Sequence, residues 1–312
     1  MKETIVLILN WNDSLRTVNL VRQLVNLEYD CDILVIDNFS CSREREILKS
    51  LQIEYKAPIL HSAEECERSP IVTVRILLLP ENFGYAKGNN IGLKIAMKSN
   101  YKYALVSNSD ISLESEVLSS LIRCMETSSN VAVVGPKVVT PSGIVNCPRR
   151  IPGAYESIVR PMFYPFVRIV ERIIRTDSRP RIPSLCWVSG SFMLMSIEKV
   201  SRVGFFDENT FLYMEEPILA ERLKGQDLAM KYCDEVSVNH EFGASTRKLD
   251  NPSETLRIQI VSEDYFLTNY RNFGKFLIAT VRVSRFLYFG VWSPIIMWSR
   301  SRFFKRKRNV IG

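Results

Sequence analysis

The sequence predicts an α/β fold on a doubly wound, mainly parallel sheet, and three features carry that expectation. Short apolar runs rich in Val, Ile and Leu recur, as in Thr4–Leu9 (TIVLIL) and Asp32–Ile36 (DILVI); such continuous runs suit strands buried on both faces. Segments with helical spacing alternate with them, the order that builds a parallel sheet. The early runs end in polar residues, Asn10-Trp11-Asn12-Asp13 and Asp37-Asn38. Ligands of doubly wound sheets sit at such carboxyl ends.

The first strand, Thr4–Leu9, leads to a helix capped by Asp13 or Ser14 and carrying Leu15, Val18, Val21, Leu24 and Val25. After the second strand a charged helix is expected from about Ser42 to Leu51. Val72–Leu79 and Tyr103–Val106 read as further strands, with a helix Asn90–Lys98 between them. Past Asp110 the pattern gives a helix Leu113–Met125, a strand Val131–Val134 and a turn-rich stretch with Pro136, Pro141 and Gly143. Residues 149–183 hold eight arginines and five prolines among Tyr, Phe and Ile, the make-up of a mobile or membrane-facing insertion. Regular structure is expected again at Cys186–Met195, and a long final helix at Ser253–Phe273.

A chain of 312 residues can bury a substantial core. Its net charge of +7 is unevenly spread: Lys275 to the end holds nine Lys/Arg and no acid, which leaves the first 274 residues at −2. A near-neutral body with a basic tail argues against nucleic acid and for an anionic membrane surface. The seven cysteines (31, 41, 66, 124, 147, 186, 233) are scattered and lack a Cys-x-x-Cys pair, as expected of reduced cytosolic thiols. No signal peptide is expected, because the apolar run Ile5–Leu9 is short and runs into polar residues. The apolar, uncharged stretch near the C-terminus, Phe286–Ser299, has 14 residues and contains Pro294, whereas a spanning helix needs about 20 apolar residues.

Four clusters carry chemistry. Asp37, at the end of a strand, can accept a hydrogen bond from a base N–H or a ribose hydroxyl, or cap the next helix. The run Asn82-Phe83-Gly84-Tyr85-Ala86-Lys87-Gly88-Asn89-Asn90-Ile91-Gly92 follows a strand and opens a helix. Its glycines let backbone approach a phosphate, or serve a tight turn. Asp110, in Val106-Ser107-Asn108-Ser109-Asp110, can hold a divalent cation on a diphosphate or cap a helix. The adjacent Glu215 and Glu216 follow Phe211-Leu212-Tyr213-Met214; like charges side by side raise one pKa toward that of a base, though Glu-Glu also suits a helix start. His240 is one of only two histidines.

Together these clusters resemble the family 2 glycosyltransferases of GT-A fold, in particular the rhamnosyltransferase-like branch of bacterial surface-polysaccharide biosynthesis. The resemblance covers roughly residues 4–275 and runs in order through Asn-Trp-Asn, Ile-Asp-Asn-x-Ser, Asn-x-Gly-x-x-x-Gly-Asn-Asn-x-Gly and Asn-Ser-Asp. It continues through Ser-Gly-Ser-Phe, Gly-Phe-Phe-Asp-Glu, Phe-Leu-Tyr-x-Glu-Glu, His-x-x-Gly-x-Ser and Tyr-Arg-Asn. It implies that Trp11, Asn12 and Asp37 embrace the nucleotide base, and that Asn82, Gly84, Lys87, Gly88 and Asn89 line the donor pocket. It further implies that Asp110 binds Mg²⁺ or Mn²⁺, with His240 as a second ligand or diphosphate contact. Glu216 takes the position of the catalytic base beside Glu215, and the transfer inverts the anomeric carbon.

The donor would be a nucleoside-diphosphate sugar carrying rhamnose or another hexose, and the acceptor a saccharide, free or lipid-linked. The enzyme would be peripheral on the cytoplasmic face of the cell membrane, and a homodimer is compatible with the sequence. Residues 1–110 would form the nucleotide-sugar part, 111–250 the metal and acceptor part, and 251–312 a C-terminal helix with a membrane-associating tail. Three positions depart from the family pattern: Asn108 replaces the first acid of Asp-x-Asp, Ile218 replaces an acid after the Glu pair, and Lys87 stands where small residues are usual. Asn108 also favours the rival reading, a catalytically silent relative serving as a membrane-bound assembly subunit.

Overall fold

Strand β1 (Thr4–Asn10) pairs in parallel with β2 (Asp32–Asp37), and both are almost wholly buried, as their unbroken apolar runs require. The structure, a computed structural model, describes residues 2–26, 29–70, 72–114, 116–141, 143, 149–174, 186–241, 252–296 and 298. Helix α1 (Ser14–Val25) joins the first two strands and buries Val18, Val21 and Leu24 as expected, but Leu15 points to solvent. Helix α2 (Ser42–Tyr55), strand β3 (Ile59–Leu60), helix α3 (Ala63–Arg68) and strand β4 (Val74–Leu78) follow. Then come helix α4 (Gly84–Lys98), strands β5 (Tyr103–Asn108) and β6 (Ile111–Leu113), helix α5 (Val117–Glu126) and strand β7 (Val131–Val139). The rest of the chain gives β8 (Arg149–Arg150), α6 (Arg160–Met162), α7 (Tyr164–Ile174), β9 (Cys186–Trp187), β10 (Phe192–Ser196), α8 (Ile197–Ser201), α9 (Glu215–Lys224), β11 (Ala229–His240), α10 (Pro252–Asn269) and α11 (Lys275–Leu287).

Nine strands form one sheet in the order β3-β4-β2-β1-β5-β10-β7-β11-β6. Pairing is parallel from β3 to β5 and between β7 and β11. It is antiparallel where β10 lies between β5 and β7 and where β6 closes the far edge. Because β10 runs against β5, its beginning shares an edge with the ends of β1, β2, β4 and β5.

Three boundaries differ from the sequence expectation. Helix α4 starts at Gly84 and not at Asn90, so the glycine-rich run forms its first two turns. A side chain at Gly92 would lie 2.5 Å from Ile36 Cδ1 and 3.1 Å from Leu7 Cδ1, so the small residue lets the helix lie close on the sheet. Ile111–Leu113 is strand β6, because Val238–His240 of β11 offers it an antiparallel edge; helix α5 therefore begins only at Val117, and Asp110 caps no helix. Strand β7 continues to Val139 through Pro136, whose missing N–H falls beside the irregularity between Cys233 and Ser237 of β11.

The chain divides into two units, one of Met1–Ile151 with Pro183–Glu263 and one of Pro152–Ile182 with Asp264–Gly312. The second unit joins the arginine-rich segment to the C-terminal helix. A π-helical turn (Tyr155–Val159) leads into α6 and α7, so this segment is helical as far as Ile174. Ser284 Oγ donates to Ile158 O at 2.7 Å and Trp292 Nε1 to Met162 O at 2.8 Å, while the Tyr164 and Tyr288 rings meet edge to face at 5.0 Å. The expected final helix Ser253–Phe273 is α10, which ends at Asn269; a turn in which Asn272 has φ 54° leads to a further helix, α11, that the sequence reading did not separate out. Among the described residues no helix is long and apolar enough to cross a membrane. The basic residues of 300–308 lie outside the described residues.

The close approach at α4 has a measurable cost. Gly→Ala inside a helix normally gains up to about 1 kcal/mol, whereas overfilling a packed core costs about 1–3 kcal/mol. With Ile36 and Leu7 both fully buried, the packing term wins. Gly92→Ala is expected to lower the midpoint of urea unfolding, and a raised midpoint would show that the helix has slack over the sheet.

Candidate active site

The loops after β1 and β2 are tied to each other. Asn12 N donates to Ser40 Oγ at 2.8 Å, and Cys41 N donates back to Asn12 Oδ1 at 2.8 Å. Beneath them Asp37 is fully buried. Its Oδ1 accepts from Asn10 Nδ2 at 2.8 Å, and its Oδ2 accepts from Arg45 Nε at 2.8 Å and Ser40 N at 3.2 Å. In this structure, then, Asp37 braces two loops from below, while half-buried Trp11 and exposed Phe39 form their outer surface. Asn12 (φ 52°) and Phe39 (φ 69°) both hold left-handed backbone, a conformation costly for an aromatic residue.

The third loop, after β4, is held by Asn38. Its Nδ2 donates to Asn82 Oδ1 at 2.9 Å and Gly84 O at 3.1 Å, and its Oδ1 accepts from Phe83 N at 2.9 Å. Gly84 has φ +77°, and a Cβ there would stand 2.3 Å from Phe211 O, so neither the backbone angle nor the space admits a side chain. Tyr85 N donates to that same carbonyl at 2.8 Å, which brings the segment before α9 onto the start of α4. Of the expected donor-pocket residues, Lys87 is exposed with Nζ 3.9 Å from the Phe83 ring centre, Gly88 packs under Leu9, and Asn89 is fully buried with Nδ2 donating to Tyr85 O. Asn90 binds the backbone of Phe206 in both directions, at 2.9 and 3.0 Å. Much of the glycine- and asparagine-rich run thus serves packing.

Asp110 and His240 are 130 positions apart in sequence and adjacent in space. The β6–β11 ladder pairs His240 with Ile111, and Glu241 N donates to Asp110 O at 3.1 Å. Asp110 Oδ1 lies 3.1 Å from His240 Nε2, and both side chains are buried. Among the described residues that carboxylate oxygen accepts no hydrogen bond. A buried carboxylate oxygen with an imidazole nitrogen beside it fits a divalent cation that completes its shell with diphosphate oxygens and water. Ser109 Oγ donates to Asp13 Oδ2 at 2.7 Å, fixing this strand end to the first loop.

The glutamate pair opens α9. Tyr213 (φ 74°) and Met214 (φ 72°) are both left-handed, a strained approach that turns Glu215 inward and leaves Glu216 half-buried. Burial, and then the charge of Glu216, pushes the Glu215 carboxyl well above the usual range, and its Oε1 has no hydrogen-bond partner. Burial also raises Glu216, while its own N–H, the N–H of Gly190 and the charge of Arg149 pull it back down. Burial thus pushes Glu215 further toward its protonated form than Glu216, whose Oε1 accepts from Gly190 N at 2.8 Å. Tyr85 Oη donates to Gly190 O at 2.5 Å; burial and the two glutamates keep that phenol protonated.

Gly190, Tyr85, Ser40 and Arg45 hold the site, yet sequence reasoning assigned none of them a role. Tyr85 and Gly190 stand inside the quoted motifs. A Cβ at Gly190 would meet Glu216 Oε1 at 2.5 Å and the Tyr85 hydroxyl at 2.9 Å, so this glycine is required by close approach.

A mixed, mainly parallel sheet with flanking helices, in which β10 runs antiparallel between β5 and β7, is the arrangement of a GT-A fold. Compared with known proteins, the chain belongs to glycosyl transferase family 2, whose model matches residues 5–200. It is similar to the N-acetylglucosaminyl-diphospho-decaprenol L-rhamnosyltransferase of Mycobacterium tuberculosis, with 25% identity over 172 residues, 54% of this chain and 55% of that protein. It is also similar to the low-salt glycan biosynthesis hexosyltransferase Agl10 of Haloferax volcanii, with 24% identity over 162 residues, 51% of this chain and 49% of that protein. Each match spans about half of the relative's length. Among solved structures, a mannosyltransferase from Pyrobaculum calidifontis in complex with GDP-Man and Mn²⁺ has the same fold at TM-score 0.50 and 12% identity, covering 98% of this chain and 82% of that one.

The protonation of Glu215 can be read from stability. Unfolded, Glu215 ionises near pH 4.3, roughly the free-glutamate value; folded, it keeps its proton to higher pH. Above the unfolded pKa the native state therefore carries the extra proton, and stability falls as pH rises through the folded pKa. Glu215→Gln, a neutral isostere, should remove that fall. Wild type should thus lose melting temperature relative to the variant between mildly acidic and alkaline pH. Parallel curves would place the proton elsewhere.

Proposed function

We propose that this protein moves a hexose, rhamnose or a close relative, from a nucleoside-diphosphate donor to a saccharide acceptor, with inversion at the anomeric carbon. One observation supports this most: Asn108 N donates to Ser191 O at 2.9 Å, joining the strand end that carries Asp110 to the Ser189–Ser191 segment, whose Gly190 holds Glu216. A cation pair and an ionised glutamate thus stand on neighbouring segments of one sheet edge. Glu216 accepts the proton of the acceptor hydroxyl, the hydroxyl oxygen attacks the anomeric carbon, and the nucleoside diphosphate departs. Asp110 and His240 would hold Mg²⁺ or Mn²⁺, which supplies charge stabilisation to the departing diphosphate. Trp11, Asn12 and the loops braced by Asp37 receive the base.

A lipid-linked acceptor is supported by the name of the mycobacterial relative, which specifies N-acetylglucosaminyl-diphospho-decaprenol for that protein. It is also supported by the basic C-terminal tail, which would hold the enzyme on an anionic membrane surface. Each Lys or Arg near such a surface contributes about 1 kcal/mol. The rival reading, a silent assembly subunit, draws on Asn108 and on the lack of any three-ligand metal cluster among the described residues.

Glu216→Gln should bind UDP-, GDP- or dTDP-linked hexoses as wild type does by calorimetry with Mn²⁺, and lose turnover about 10²–10⁴-fold. Normal turnover by this variant, with a dead Glu215→Gln, would reverse the assignment within the pair. Asp110→Asn should abolish the metal-dependent part of nucleotide-sugar binding. Full wild-type activity in excess EDTA would dispose of the cation, and a wild type inert toward every donor and acceptor would favour the silent subunit.

A further inference from the structure

Helix α7 is amphipathic in the inverted sense. Phe166, Ile169, Val170 and Ile173 recur at i, i+3, i+4 and i+7, one face of a helix, and each is more than half exposed. Phe163, one turn earlier, is half exposed as well. The charged partner points the other way: Glu171 is only 26% exposed and pairs with Arg160 at 3.3 Å. An exposed apolar stripe over an inward ion pair is the reverse of what water rewards, and four contiguous large apolar side chains call for a cover.

We propose that this stripe lies in the headgroup boundary of a lipid bilayer, with α7 parallel to the membrane plane. Three observations favour a bilayer over a second copy of the chain. Residues 152–182, the part of the segment in this unit, hold six arginines against three acids, and among the described residues Arg168 is exposed on α7 beside the stripe. A two-fold contact through this face would set that positive charge against itself, whereas anionic headgroups neutralise it. Eleven residues of helix span about 16 Å, too short for a hydrocarbon core of about 30 Å and right for lying in the boundary. Helix α11, in the same unit, also turns Phe276, Val283 and Phe286 to solvent.

This inference shares the membrane location proposed for the basic tail but assigns it to a different element and a different force, so the two can fail separately. The test is co-sedimentation of the full chain with phosphatidylethanolamine–phosphatidylglycerol vesicles, without donor or acceptor, so that its outcome does not depend on the transferase reading. Three variants are compared with wild type: Phe166→Ser/Ile169→Ser/Ile173→Ser, the same positions changed to Leu, and a tail whose basic residues in 300–308 are Gln. The stripe is exposed, so melting temperatures should stay close to wild type. A single Ile169→Glu replaces the serine variant if that one melts early. At about 1 M salt, where screening falls to about 3 Å, wild type, the Leu variant and the tail variant should keep their residual binding. The serine variant should lose it at least tenfold. Equal high-salt partition of the serine variant and wild type would overturn the proposal. So would lipid-free self-association of wild type that the serine variant abolishes, which would make the stripe a contact between copies.

Discussion

At Gly190 three elements converge on a point that has room for a hydrogen atom and no carbon. The carboxylate of Glu216 comes from the start of α9, the hydroxyl of Tyr85 from the first turn of α4, and the peptide between them from the approach to β10. The peptide uses both its polar groups, N–H to the carboxylate and C=O to the phenol. Since β10 is antiparallel to β5 and hydrogen-bonded along it, this contact transmits the position of the sheet to the glutamate. A donated hydrogen bond also favours the ionised form of Glu216, so one constraint sets where the carboxylate stands and offsets part of the burial that raises its pKa.

The same economy appears at Asp110 and His240. Nothing local draws Asp110 and His240 together; the three-residue ladder between β6 and β11 does so. That ladder is also why the sequence pattern misled after Asp110. Leu113 fits the start of a helix by its spacing to Val117 and Leu121, and only a partner strand at Val238–His240 decides otherwise. Central strands were legible because burial on both faces leaves a continuous apolar signature. Edge pairings were not, because they depend on which distant segment arrives.

The glycine-rich run shows a different kind of blindness. Its residues are as ambiguous in sequence as any loop, yet Gly88 and Gly92 lie inside a helix, where their lack of side chain sets the distance to Leu9, Leu7 and Ile36. Asp37 was legible as a functional strand end, but its donors, Asn10, Ser40 and Arg45, come from three segments that spacing alone does not assemble. Motif order pointed to residues that the fold gathers along one edge of the sheet. The division of labour within each motif needed the packing.

The two left-handed residues ahead of α9 carry a consequence for how this protein could be improved. Tyr213 and Met214 hold a backbone that glycine would adopt without cost, so replacing either removes strain of roughly 1–3 kcal/mol from the folded state. The same strain turns the helix start so that Glu215 is inward and Glu216 faces Gly190. Relaxing it gives the glutamates more than one way to sit. A search for thermostable variants would therefore be drawn to this corner first, and under the proposed role of Glu216 the hardier proteins it returned would be the poorer catalysts.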